Sequence, residues 1–155
     1  MELNSSPEKC TCHQFSDFLC FNRYYGWYLL GGYEMQDAEE AFRAELDAWL
    51  AKGVNCPFVF TEYGCDNLQG EYKLPSVQWS AEYELEYLKI YERVFDSYDC
   101  IKGEQVWNFA DFQTVEGIMR VNGNKKGIFT RQRQPKAAAY YFKNRWENLP
   151  VDYKG

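Results

Sequence analysis

Residues 57–66 read P-F-V-F-T-E-Y-G-C-D, and this stretch limits the fold more than any other in the chain. Phe58, Val59 and Phe60 form a strand-forming apolar run that ends abruptly in Thr61 and Glu62. A strand so apolar is expected to be buried on both faces, as in a parallel sheet covered by helices. Sheets of that kind present their functional groups at the carboxyl ends of their strands. Glu62 stands at such an end, and Gly64 lets the chain turn away behind it. The same pattern arises when an acid merely caps the next loop, so this one stretch leaves its purpose open.

The rest of the chain supplies partners for that strand. After an irregular segment over residues 1–16, residues 18–21 read as a short strand leading into N-R-Y-Y-G-W-Y. Residues 36–52 form an amphipathic helical pattern, with Phe42, Leu46, Trp49 and Leu50 on one face. Asp37 and Glu40 have the spacing of a capping box, and Gly53 stops the helix. Ser80 is placed to cap a second helix over 81–97, whose buried face is Tyr87, Leu88, Tyr91, Val94 and Phe95. A third strand is expected over 101–109, ending in W-N-F-A-D-F. A polar loop over 113–134 follows, and Pro135 is placed to open a last helix.

Strand and helix therefore alternate three times, the signature of a parallel α/β sheet with right-handed crossovers. Three strands do not close a barrel, for which about eight are needed. The expected fold is the C-terminal portion, the last three β/α units, of a TIM (β/α)8 barrel. The barrel segment spans 17–149, and 150–155 form a C-terminal tail.

Composition narrows the chemistry. No apolar run approaches membrane-spanning length and the first residues lack a signal peptide's apolar core, which points to the cytoplasm and to no membrane partner. The six cysteines lack a disulfide rhythm. Cys10, Cys12 and His13 lack the paired ligand sets of a zinc site, and His13 is the only histidine, so neither a metal nor a histidine-based nucleophile is expected. Residues 1–116 hold eight Lys and Arg against 21 Asp and Glu, whereas residues 117–146 hold eight basic residues and no acid. An acidic body would repel a polyanion, which excludes nucleic acid and favours a small anionic ligand near the basic segment. With 19% aromatic residues, the chain suits a site that stacks on sugar faces.

Each strand ends in a polar, aromatic cluster: N-R-Y-Y-G-W-Y, T-E-Y-G and W-N-F-A-D-F. Any one of them also reads as aromatic packing beneath a loop; three at one edge outline a pocket with a carboxylate. Together with G-N-K-K-G-I-F-T-R-Q-R-Q-P-K, these motifs, in this order and spacing, closely resemble the β-glucuronidases of glycoside hydrolase family 2 over residues 17–146. The first cluster is most similar to gut-bacterial members. The resemblance implies a retaining β-glucuronidase whose full-length relatives carry a sugar-binding and an immunoglobulin-like domain ahead of the barrel. It makes Glu62 the nucleophile that forms a covalent glycosyl-enzyme, held in place by hydroxyls such as those of Tyr24 and Tyr28. Asn22, Tyr24 and Tyr28 would line the sugar site, Trp107 would form an aromatic wall, and Arg120 would lie near the sugar's carboxylate. Asn124 and Lys126 match the Asn-x-Lys pair that reads the glucuronate carboxylate, a role that charge-assisted hydrogen bonding supports. The absence of acids around Lys126 in sequence and the flanking Gly123 and Gly127 favour that role over a solvated loop lysine. Asn122 departs from the pattern, standing where many relatives have Gly.

Retaining hydrolysis also needs an acid/base carboxyl about 5 Å from the nucleophile, in this family the Glu of an Asn-Glu pair. No Asn-Glu pair occurs in the chain. Glu104 and Asp111 are the nearest substitutes, and both read as structural. The chain is thus expected to be inactive alone, with a β-glucuronide as substrate, no cofactor, and the upstream barrel and N-terminal domains as its missing partners. Homo-oligomerisation of the full-length enzyme is left open. The alternatives are a non-catalytic remnant that binds uronic acids and an α/β domain whose basic loop grips a phosphate.

Overall fold

The computed structural model describes residues 5–153; residues 1–4 of the N-terminal segment and 154–155 of the tail lie outside the described residues. Three strands, β1 (Leu19–Asn22), β2 (Phe58–Glu62) and β3 (Ile101–Glu104), alternate with three helices, α1 (Met35–Ala51), α2 (Ala81–Ser97) and α3 (Ala137–Asn148). The strands form a parallel sheet, as the alternation predicts, in the order β1-β2-β3. The chain divides into two compact units, residues 5–63 with 90–106, and residues 64–89 with 107–153. Helix α2 contributes its second half to the first unit and its first half to the second.

The first unit holds the sheet. Phe58 and Phe60 point to one face, where Phe60 packs against Phe42 of α1 and Phe95 of α2, and Phe21 of β1 packs against Trp49. All six are buried. The opposite face carries Cys20 and Val59, which are only half-buried, so burial on both faces is not what these strands show. The helices cover one face only; in a (β/α)8 wall the other face looks into the barrel. Gly103 of β3 belongs to that face, and a Cβ there would meet Val59 Cγ1 at 3.2 Å.

Several local expectations shift by a residue or more. Helix α1 begins at Met35 with Glu34 as its N-cap and no side-chain cap bond. Asp37 is therefore not the cap but lies inside the first turn, where its charge still favours the helix N-terminus. Leu50 is 39% exposed; the buried face is Ala38, Phe42, Leu46 and Trp49. Gly53, with φ of +88°, ends the helix as expected. In α2, Ser80 Oγ accepts the Tyr83 N–H at 3.2 Å, which is the predicted cap, and the five predicted buried residues are buried.

Strand β3 stops at Glu104 instead of reaching residue 109. In the second unit the backbone of residues 108–111 pairs with the basic loop instead: Asn108 N–H donates to Lys126 O at 3.0 Å and Asp111 N–H to Phe129 O at 3.0 Å. Pro135 does not open α3. It precedes the N-cap residue Lys136, whose N–H donates to Ile128 O. Among the described residues all six cysteines are free, with Cys65 buried, and no helix is long and apolar enough to cross a membrane.

Candidate active site

In the first unit, β1 and β2 end side by side. Asn22 pairs in register with Glu62, the last residue of β2, after an irregularity that leaves Thr61 as the extra residue. Thr61 Oγ1 donates to Asn22 Oδ1 at 2.7 Å, fixing the Asn22 amide. Tyr24, two residues beyond β1, is buried and its hydroxyl donates to Glu62 Oε2 at 2.7 Å. Burial first, and the Glu62 hydrogen bond second, hold the Tyr24 phenol well above its usual range, so it remains a donor. Tyr28 packs its ring 4.9 Å from that of Tyr24. The unit thus brings together Asn22, Tyr24, Tyr28 and Glu62.

The turn leaving β1 is itself anchored. Arg23, 1% exposed, places its guanidinium on Glu45 of α1 through Nε and Nη2. Tyr25 also donates to Glu45, at 2.9 Å, and the Tyr91 hydroxyl donates to the carbonyls of Arg23 and Tyr25. A buried guanidinium with a bidentate carboxylate holds its backbone in one place, which gives Tyr24 a fixed starting point.

The second unit carries Trp107, Arg120, Asn124 and Lys126. Two glycines fix the path of the Asn124–Lys126 segment. Gly123 has φ of +92° and a Cβ there would lie 2.6 Å from Phe112 O; at Gly127 a Cβ would lie 2.1 Å from Asp111 N. Asn122 adopts φ of +57°, a left-handed conformation that asparagine tolerates nearly as glycine does. Asn124, buried, accepts the Lys126 N–H on its Oδ1 at 2.9 Å. Because a backbone N–H only donates, that bond identifies the oxygen and leaves the amide NH2 as the group available to an acceptor.

Lys126 is 1% exposed and its Nζ donates to Oδ2 of Asp66. Its acid-free surroundings in sequence are therefore not acid-free in space: a carboxylate from 60 residues upstream stands against it. Asp66 Oδ1 accepts the Lys125 N–H at 2.8 Å, and Arg120 lies 3.7 Å from Oδ2. Trp107 is exposed, packing edge-on to Phe112 at 6.1 Å. A cavity of about 410 Å³ in this unit is lined by Asp111, Phe112, Lys125 and Arg131 among others, and not by Asn124 or Lys126.

Both substitute carboxyls have protein partners. Asp111 is held by Lys136 Nζ at 3.1 Å and by the Gly127 N–H at 3.0 Å. Glu104 pairs in register with Phe60 and accepts the Tyr63 hydroxyl at 3.4 Å. Sequence reasoning passed over Asp66 and Glu84. Glu84, buried, accepts the Asn67 Nδ2–H at 2.8 Å, and burial above all pushes its carboxyl up to about 7. A signal for Asp66 existed: a buried lysine requires a counter-charge, and T-E-Y-G-C-D supplies one.

Comparison with known proteins agrees with this architecture. The chain is 48% identical over 143 residues to a β-glucuronidase of Paenibacillus borealis, covering 92% of this chain and 24% of that protein. A crystal structure of Ruminococcus gnavus β-glucuronidase superposes with a TM-score of 0.92 at 62% identity, over 96% of this chain and 25% of that one; the same enzyme has been solved in complex with D-glucuronic acid. A Lactobacillus rhamnosus β-glucuronidase superposes with a TM-score of 0.95 at 57% identity, over the whole of this chain and 26% of that one. The chain spans about a quarter of the length of these relatives. The family model described as glycosyl hydrolases family 2, TIM barrel domain, matches residues 6–151, and the chain belongs to that family.

Proposed function

We propose that the chain is the part of a retaining β-glucuronidase that carries the nucleophile and the reader of the glucuronate carboxylate. The observation that carries this reading is Glu62 at the end of β2, receiving the Tyr24 hydroxyl at 2.7 Å. Glu62 attacks the anomeric carbon of a β-D-glucuronide; the C1–Oε bond forms as the C1–O bond to the leaving group breaks. Tyr24 holds the carboxylate in line and Asn22 and Tyr28 line the sugar. Trp107 offers an aromatic wall. Arg120, the Asn124 amide and Lys126 recognise the carboxylate at C6, which a neutral hexose lacks. The leaving oxygen takes its proton from a carboxylic acid that we assign to the barrel outside these 155 residues, and water later cleaves the glycosyl-enzyme with that group as base.

The test installs these residues in place of the matching quarter of the Ruminococcus gnavus enzyme and follows hydrolysis of a chromogenic aryl β-glucuronide. The chimera is expected to turn over and Glu62→Gln to reduce kcat by about 10³-fold or more. The isolated chain is expected to show no turnover above its own Glu62→Gln control. A folded chimera without activity, or one indifferent to Glu62→Gln, would falsify the reading. Turnover by the isolated chain would place an acid/base group within it.

A further inference from the structure

Asp66 is wholly buried, and three donors from the basic loop converge on it: the Lys125 N–H, the Lys126 ammonium and, 3.7 Å away, the Arg120 guanidinium. A buried carboxylate is costly unless paired, and so is a buried ammonium. The Lys126 backbone is fixed by Gly127 and by its bond to Asn124, and its ammonium reaches the Asp66 carboxylate in the interior. Asp66 is therefore a charged partner that holds the ammonium in the interior. Lys136 pairs with Asp111 and also donates to Lys125 O at 2.8 Å.

We propose that Asp66 is a positioning residue that sets sugar specificity: it seats the Lys126 ammonium where a uronate carboxylate can meet it. The inference rests on the carboxylate-reading role of Lys126 given above. A neutral sugar brings no charge to the ammonium and gains nothing from the seat. A uronate meets an ammonium already ordered, so less freedom is lost on binding. Asp66 touches neither the sugar nor the reacting atoms in this scheme and acts through Lys126.

The test measures kcat/KM of the chimera for an aryl β-glucuronide and for the matching β-glucoside, with Asp66→Asn, Lys126→Met and the double variant. Lys126→Met is expected to lower the glucuronide-to-glucoside ratio by about 10²-fold. Asp66→Asn, which keeps an acceptor for the Lys125 N–H, is expected to lower it by at least about tenfold, mainly through a raised KM. The double variant is expected to match Lys126→Met alone. An unchanged ratio in Asp66→Asn, equal losses on both substrates, or full additivity in the double variant overturns the role of Asp66. An unchanged ratio in Lys126→Met instead overturns the carboxylate-reading role itself. Should Asp66→Asn fail to fold, Asp66→Glu keeps the charge and displaces it by one methylene: a lowered ratio supports the seat and an unchanged one refutes it.

Discussion

The Tyr24 hydroxyl donates to Oε2 of Glu62 at 2.7 Å, tying the loop that leaves β1 to the last residue of β2. A neutral phenol beside a carboxylate makes a charge-assisted bond, and burial keeps this phenol protonated. Removing the donor leaves the carboxylate free to turn. Tyr24→Phe in the chimera is expected to lower kcat/KM for an aryl β-glucuronide by about 10- to 100-fold, the range of a hydrogen bond to a charged group. A loss within twofold would show that Glu62 is held by something else.

Glu84 makes the second unit sensitive to pH. Its carboxyl is pushed up to about 7 by burial, with Asp111 and Asp66 adding to the shift and Lys136 and Asn67 opposing it. The folded state favours the neutral acid, so its stabilising share is complete below the unfolded value of 4.5 and is lost as pH rises through about 7. Glu84→Gln keeps an acceptor for Asn67 and cannot ionise. Between pH about 5 and about 8.5 the parent chain should lose roughly 2 kcal/mol relative to this variant. Parallel pH profiles of the two thermal midpoints would contradict the assignment.

Gly127 is a steric requirement, not a flexible joint. A Cβ there would approach Asp111 N, Ala110 C and Phe129 O, all within 2.5 Å, and these are backbone atoms that cannot swing aside. Gly127→Ala is expected to destabilise the chain by about 3 kcal/mol or more in urea unfolding. Gly117 meets nothing within 4 Å, and Gly117→Ala should stay within about 0.5 kcal/mol. Similar midpoints for the two variants would mean that the loop adjusts freely.

The placing of Asn22 and Glu62 at strand ends was legible in the sequence, as were the parallel sheet and the faces of the helices near their centres. Ser80 and the five buried residues of α2 were readable because capping and period are local. Leu50 was misread because it lies about 100° around the helix from Trp49, at the margin of the apolar stripe, where tertiary packing decides exposure. Asp37 was misplaced by three residues and Pro135 by two because helix ends depend on what the flanking chain meets; Lys136, for example, bonds to Ile128 O. The end of β3 and the Asp66–Lys126 contact escaped for one reason. Both depend on a loop that returns from far along the chain, and period carries no information about such pairings.

The Asp66–Lys126 contact also shapes how sequences of this kind can diverge. Replacing either partner alone breaks a buried ion pair, a step that costs on the order of 3–5 kcal/mol and a large part of a typical domain's stability. A lineage that gives up the pair thus meets a valley between two viable sequences. Positions 66 and 126 are expected to change together, and single replacements to survive only in backgrounds that carry stability to spare.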